Sequence, residues 1–235
     1  MRVVASLTTI PSRIETWCKN TIDSIIEQVD HVYIGVTTHY KRFNTGIEIP
    51  IIYSTSPYKE KVTFVFGEDK GPATKYLGSL SAIPDDTWVF FCDDDQEYRD
   101  DLISRMKATA VDTTCVYQNR YETFSRWGTS GGLIHGYVGN MAHTSVLSQL
   151  PFFPLPDCAY HIDDQWMSVY YRMTGVEIRP TGIDSYTDIF KKLLPQGYEL
   201  FGPDSLTELG TRNEKIRQLE HCFGVRFIPN TVQIE

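Results

Sequence analysis

The sequence predicts an α/β fold with a mostly parallel central sheet flanked by helices. Three observations carry this. Residues 2–7 (RVVASL), 31–37 (HVYIGVT) and 87–92 (TWVFFC) are short apolar runs rich in β-branched or aromatic residues, the pattern of strands buried on both faces. Between the first two, residues 14–28 place Ile14, Trp17, Ile22, Ile25 and Ile26 at helix-compatible positions. Strand, loop, helix and strand make a βαβ unit, and strands joined by such a crossover run parallel.

The remaining elements follow in chain order. Residues 49–54 and 62–66 read as further short strands, the second ending at Gly67. Gly71 and Pro72 open a helix that runs to about residue 82, with proline suited to the first helical position. Residues 84–86 (PDD) form a turn before the 87–92 strand, and residues 100–110 form a helix. Residues 115–145 read as strands and glycine-rich loops, and residues 147–156, with three prolines, as irregular chain. A helix is expected over 161–173, a strand over 176–179, and a surface loop with one short helix over 180–204. The last helix covers 205–222, with Ser205 as its cap and Glu208 three residues later. No linker separates these parts, so one domain is expected over residues 1–235.

With 235 residues, such a chain buries roughly 70–75% of the surface its unfolded form exposes and needs neither disulfide nor structural metal. Hydrophobic residues make up 41%, charged residues 22%, and the net charge is −8. That acidity argues against nucleic acid or an anionic membrane as partner, since both select a surplus of Lys and Arg. The cysteines Cys18, Cys92, Cys115, Cys158 and Cys222 are scattered and form no CxxC pair, so reduced thiols and a cytoplasmic location are expected. No run approaches the roughly 20 apolar residues of a membrane span. The apolar start is cut short by Pro11 and Arg13 and does not read as a signal peptide.

The densest chemistry is Asp93-Asp94-Asp95, reached directly from the apolar 87–92 run. Adjacent carboxylates repel, and a hard divalent cation, Mn2+ or Mg2+, offsets that repulsion with oxygen ligands alone. Strand alternation puts Asp93 and Asp95 on one side as a DxD pair and turns Asp94 away. The plain alternative is a solvated acidic turn capping the next helix. A second cluster, Asp69-Lys70-Gly71-Pro72-Ala73-Thr74-Lys75, combines a close-approach glycine, a helix start and a lysine able to reach a phosphate or a base carbonyl. A third, Thr8-Thr9-Ile10-Pro11-Ser12-Arg13, follows the first strand, so in a parallel sheet it shares an edge with the aspartates. There Arg13 suits phosphates, although Ser12 also reads as a helix cap. A fourth, His161-Ile162-Asp163-Asp164-Gln165-Trp166, offers a general base, or merely acids favoured at a helix start. Gly131 and Gly132 leave room for a bulky ligand. His143, His161 and His221 are further candidates, each with a structural role as the ordinary explanation.

Together TTIPSR, DKGPATKYLGSL, FFCDDDQEY and HIDDQW resemble small glycosyltransferases of the GT-A fold, and are especially similar to the compact chlorella-virus enzymes that glycosylate capsid proteins. The resemblance covers roughly residues 3–170. It implies a Rossmann-like GT-A domain with a nucleotide-binding half over 1–95 and an acceptor-side half over 96–235. It also implies a UDP-linked sugar donor, a Mn2+ or Mg2+ ion on Asp95 and Asp93, and hexosyl transfer to a hydroxyl of a glycan or glycoprotein. For a viral chain the location would be the host-cell cytoplasm. By the same resemblance Thr9, Pro11, Arg13 and Lys75 match the positions that hold the nucleotide and Asp93 contacts ribose or sugar; from the residue reading, Asp69, Gly71, Asp94, Gly131 and Gly132 join the expected nucleotide-sugar site. Asp163 or Asp164 matches the base of inverting members, with Asp-Asp here where those often show Glu-Asp. Three other readings compete: a sugar-phosphate nucleotidyltransferase, disfavoured because TTIPSR lacks glycine; a metal-dependent phosphohydrolase, whose acids would be spread over several strand ends; and a non-catalytic nucleotide- or carbohydrate-binding module.

Overall fold

The computed structural model describes residues 1–120, 132–192 and 212–225. Seven strands form one sheet: β1 (Val3–Thr8), β2 (His31–Thr37), β3 (Val62–Gly67), β4 (Trp88–Phe91), β5 (Cys115–Gln118), β6 (Asn140–His143) and β7 (Glu177–Pro180). Their order is β3-β2-β1-β4-β6-β5-β7. β3, β2, β1 and β4 run parallel, β5 and β7 pair in parallel, and β6 is antiparallel to both its neighbours. The fold is thus the mostly parallel α/β sheet that the sequence predicts.

Around the sheet lie the helices α1 (Trp17–Ile25), α2 (Tyr58–Lys61), α3 (Thr74–Leu77), α4 (Leu102–Thr109), α5 (Thr144–Leu147), α6 (Asp163–Met173), α7 (Tyr186–Ile189) and α8 (Arg212–Phe223). The side-chain alternation of β1 sorts them into two layers. Val3, Ala5 and Leu7 point into a core shared with Ile22 and Ile25 of α1 and with Leu102 and Met106 of α4. Val4 points into the opposite core, with Tyr76 of α3, Trp166 and Tyr170 of α6, and Leu219 of α8. All four β1 residues are wholly buried, which explains why the strand shows no polar alternation.

Several elements differ from the sequence reading. Residues 49–54 do not form a strand. Ile51–Ser54 is a 3-10 turn, in which the Tyr53 amide donates to the Pro50 carbonyl at 3.1 Å. The Tyr53 hydroxyl anchors the turn on the Ile14 carbonyl at 2.7 Å, and Ile51 stays exposed. The first helix is shorter than 14–28, because Ile10 to Thr16 is occupied by turns that aim Arg13 inward, with the Arg13 amide on the Ile10 carbonyl at 3.0 Å. The 71–82 helix is three pieces: the 3-10 turn Gly71–Ala73, α3, and the 3-10 turn Leu80–Ala82. α8 begins at Arg212 in the described chain, and Ser205 lies outside the described residues.

The topology locates a crevice. After β3 the chain crosses to the other side of β1 to form β4, so the strand order reverses between β1 and β4. Loops leaving the carboxyl ends of these two strands diverge, which is where open α/β sheets bind ligands. Antiparallel β6 pairs Asn140 with Phe91, so the segment entering β6 reaches the same edge. Among the described residues no helix is long and apolar enough to cross a membrane.

Leu7 is wholly buried at the centre of the sheet. Leu7→Ala should cost about 2–5 kcal/mol, read as a lower urea midpoint at an unchanged slope.

Candidate functional site

A cavity of about 560 Å³ opens at this crevice. Its floor comes from the four segments that the sequence singles out. Asp93, Asp94 and Asp95 follow β4; Thr9 and Arg13 follow β1; Asp69, Gly71 and Lys75 surround the start of α3; Asp163 and Asp164 open α6. Pro11 and Gly132 lie outside the lining, and Gly131 falls outside the described residues.

The three consecutive aspartates do not follow strand alternation, because β4 ends at Phe91. Asp94 is not turned away. Its carboxylate accepts from the Thr9 hydroxyl at 2.6 Å and from Arg13 Nη1 at 3.0 Å. The same Nη1 donates to Asp95 at 3.0 Å, and Gln96 Nε2 donates to the other Asp95 oxygen at 2.9 Å. Asp93 instead pairs with Lys75. The division is therefore Asp94 and Asp95 on Arg13, and Asp93 on Lys75.

Lys75 is the hub of the floor. Its side chain is 3% exposed, and besides Asp93 its Nζ lies 2.9 Å from Asp163 and 3.9 Å from Asp164. Its carbonyl accepts from the buried Ser6 hydroxyl of β1 at 2.7 Å, which fixes α3 over the strand. Burial alone would lower the Lys75 pKa, but the charges of Asp163 and Asp93 outweigh it and hold the group well above its ordinary value. Gly136 completes the shell. Its amide donates to Asp164 at 3.0 Å, and a Cβ there would run into Lys75 Nζ, Asp164 and Asp93. A side chain at this position would have to displace the ion-paired ends of Lys75, Asp164 and Asp93.

Asp69 plays a different part. Its carboxylate accepts from the Lys41 amide at 2.7 Å, the Tyr160 hydroxyl at 2.7 Å and the Gly71 amide at 2.9 Å. It ties together the loop after β2, the α3 start and the 3-10 turn Asp157–His161. Gly71 adopts φ 58°, and a Cβ at that position would strike the Tyr160 carbonyl.

Charge balance in the floor is uneven. Among the described residues, Asp93, Asp94, Asp95, Asp163 and Asp164 form their ion pairs with Arg13 and Lys75. Burial raises Asp94 despite Arg13 and Thr9. Burial, with Asp94 and Asp93, pushes Asp95 up to about 6. Burial and Asp163, opposed by Lys75, push Asp164 up to about 8. An all-oxygen donor set with surplus negative charge fits a hard divalent cation. Among the described residues no three His, Cys, Asp or Glu side chains are gathered as a ready cage.

The sequence reading passed over several lining residues: Tyr40, Arg42 and Phe43 after β2, Gln96, His135, Tyr137, Tyr160 and Lys215. The β2 loop was within reach of the strand-end rule that found Thr9 and Asp93. Lys215 was not, since its helix docks on the site from the far end of the chain.

The chain has the GT-A fold. No protein-family model matches it, and no curated protein matches it by sequence. Solved structures do. Glucosyl-3-phosphoglycerate synthase from Mycobacterium tuberculosis, in complex with Mn2+, uridine-diphosphate-glucose and glycerol 3-phosphate, matches with TM-score 0.58 at 15% identity, over 96% of this chain and 81% of that one. The same enzyme in complex with uridine-diphosphate gives 0.56 at 15% identity, again over 96% and 81%. At this identity the likeness is one of fold.

The Asp164 shift has a measurable sign. Its pKa rises from the ordinary 3.8 to about 8 in the folded chain, so the folded state holds an extra proton between those values. Stability therefore falls as pH rises through that window. In metal-free protein, urea midpoints from pH 4 to 8 should fall less steeply for Asp164→Asn than for the unsubstituted chain. Parallel profiles would remove the shifted proton from Asp164.

Proposed function

We propose that the protein is a metal-dependent glycosyltransferase that moves a hexosyl unit from a UDP-linked sugar to an acceptor hydroxyl, with inversion, in one in-line displacement. The observation that carries this reading is the convergence of two carboxylate groups of different origin, residues 93–95 from β4 and residues 163–164 from α6, on one buried lysine at the switch point of the sheet. One group suits a cation and its diphosphate; the other suits proton abstraction. The fold it shares with an enzyme solved with Mn2+ and uridine-diphosphate-glucose supports the donor class. The likeness of TTIPSR, DKGPATKYLGSL, FFCDDDQEY and HIDDQW to the chlorella-virus capsid enzymes nominates a glycan or glycoprotein acceptor and a viral setting.

Asp95 and Asp93 would hold Mn2+ or Mg2+, which as a Lewis acid stabilises the departing nucleoside diphosphate. Arg13 fixes the position of Asp95 through their shared contact at 3.0 Å, and Thr9 and Arg13 hold Asp94 as the support of that arrangement. Asp163, 2.9 Å from Lys75, is the paired acid of the two. Asp164 is the base. The Gly136 amide orients it, and a pKa of about 8 is well matched to taking a proton near neutrality. It receives the proton of the acceptor hydroxyl as that oxygen attacks the anomeric carbon and the diphosphate leaves. Asp69, through Tyr160 and the Lys41 and Gly71 amides, keeps the loops of the donor pocket in register.

A thermal-shift panel of nucleoside diphosphates and nucleotide sugars, with and without Mn2+, tests the reading directly. A ligand that binds only the folded state raises the melting temperature by mass action. A Mn2+-dependent shift specific to UDP compounds is expected, and absence of any shift would sink the proposal. Asp95→Ala should abolish the Mn2+-dependent part of UDP binding in calorimetry. Asp164→Asn should retain that binding and lose turnover by roughly 10²–10⁴-fold. Asp163→Asn losing more turnover than Asp164→Asn would reverse the assignment of the base.

A further inference from the structure

The sequence nominates Arg13 and Lys75 for phosphate, yet the structure commits both to carboxylates. Arg13 Nη1 is shared by Asp94 and Asp95 at 3.0 Å each. Lys75 is buried between Asp93 and Asp163, and drawing it out toward a ligand would strand Asp163 as an unpaired buried charge.

Two further cations line the same cavity. Arg42 belongs to the loop after β2 and lies 5.1 Å from the Phe43 ring. Lys215 belongs to α8, which packs on the 3-10 turn Asp157–His161. Lys215 makes no ion pair with any described residue. His161 ends that turn and also lines the cavity, and its Nδ1 is buried without a hydrogen-bond partner among the described residues. The groups share one electrostatic neighbourhood: after burial, the charges of Lys215 and Arg42 are what lower the His161 pKa. In a chain of net charge −8, an arginine and a lysine from distant segments lining one cavity with an acidic floor is a selective arrangement. Both bind phosphoryl oxygens through charge-assisted hydrogen bonds.

The geometry points to a phosphoryl-binding wall made of Arg42, His161 and Lys215, which makes α8 part of the donor site and its lysine a ligand of the donor diphosphate. This inference rests on the nucleotide-sugar reading of the same cavity. A phosphate carried by the acceptor offers the same chemistry, and the test separates the two sources.

Calorimetry with UDP, uridine and inorganic phosphate, at fixed Mn2+, would be run on the unsubstituted chain, Arg42→Ala, Lys215→Ala, and the exposed control Lys59→Ala, after melting temperatures confirm folding. Loss of a charged hydrogen bond weakens binding roughly ten- to hundredfold. UDP affinity should fall by that factor in Arg42→Ala and Lys215→Ala, with uridine and the control unchanged. If UDP affinity holds but inorganic phosphate no longer binds the UDP-loaded variants, the wall serves an acceptor phosphate and the donor assignment falls. Unchanged affinity for UDP and phosphate in both variants overturns the wall altogether. If the unsubstituted chain binds no nucleoside diphosphate, the function reading has failed, and the phosphate titration alone then judges the wall.

Discussion

Lys75 is a cation with almost no access to water, surrounded by carboxylates from two separate elements. Removing an ammonium group from water costs several kcal/mol even after relaxation. That cost is offset only because Asp93 and Asp163 lie against it. The converse holds as well: without Lys75, β4 could not end in buried acids while α6 opens with two more. The interaction couples three packing decisions. α3 must sit over β1, held by the Ser6 hydroxyl on the Lys75 carbonyl. α6 must present its first turn to the sheet edge. The loop before β6 must be thin enough to pass, which the glycine at position 136 ensures.

From that constraint the electrostatics of the cavity follow. Lys75 and Arg13 cancel part of the floor's charge, and the remainder appears as carboxyl groups pushed upward by burial and by one another, Asp95 and Asp164 among them. Under the proposed function, the surplus charge of such a site is what a divalent cation would offset. Among the described residues no preformed cage is gathered, and the aspartate oxygens are engaged by Arg13 and Lys75. Under the proposed function this favours an ion that arrives with its diphosphate, so that metal affinity and nucleotide affinity become one quantity. The acid that escapes close pairing, Asp164, is left as the group best able to exchange a proton.

Much of this was legible in the sequence, for local reasons. The β1–α1–β2 unit is visible because a strand buried on both faces is uniformly apolar. The Asp93, Thr9 and Asp163 segments stand out because acids and hydroxyls at strand ends and helix starts break otherwise apolar runs. What was not legible depends on pairing across distance. Strand alternation said nothing of Asp94 once β4 had ended, and the positions of Thr9 and Arg13 decide where that carboxylate points. Residues 49–54 look like a strand, but the buried partner for Tyr53 is a carbonyl on Ile14, which recruits the segment as a turn. Asp69 reads as part of a phosphate loop, while its partners Lys41, Gly71 and Tyr160 show a pin between segments up to 91 residues apart. Lys215 carries no local signal at all.

The strand order explains why so many segments meet. In the parallel portion, β1 and β4 deliver their loops to one edge because each strand leaves the sheet at the same end. A purely parallel sheet would have to send the chain beyond β4 away from that edge by another crossover. Inserting β6 antiparallel reverses this: the segment that enters β6 beside the end of β4 carries Gly136 to Asp164 at 3.0 Å, and the Ile134 amide is bound by Ser168 of α6 at 2.9 Å. One reversed strand thus brings the helix with the candidate base against the loop with the candidate metal ligands. Under the proposed function, the parallel strands supply a place for the donor, and the reversed strand supplies the opposite wall of the reaction.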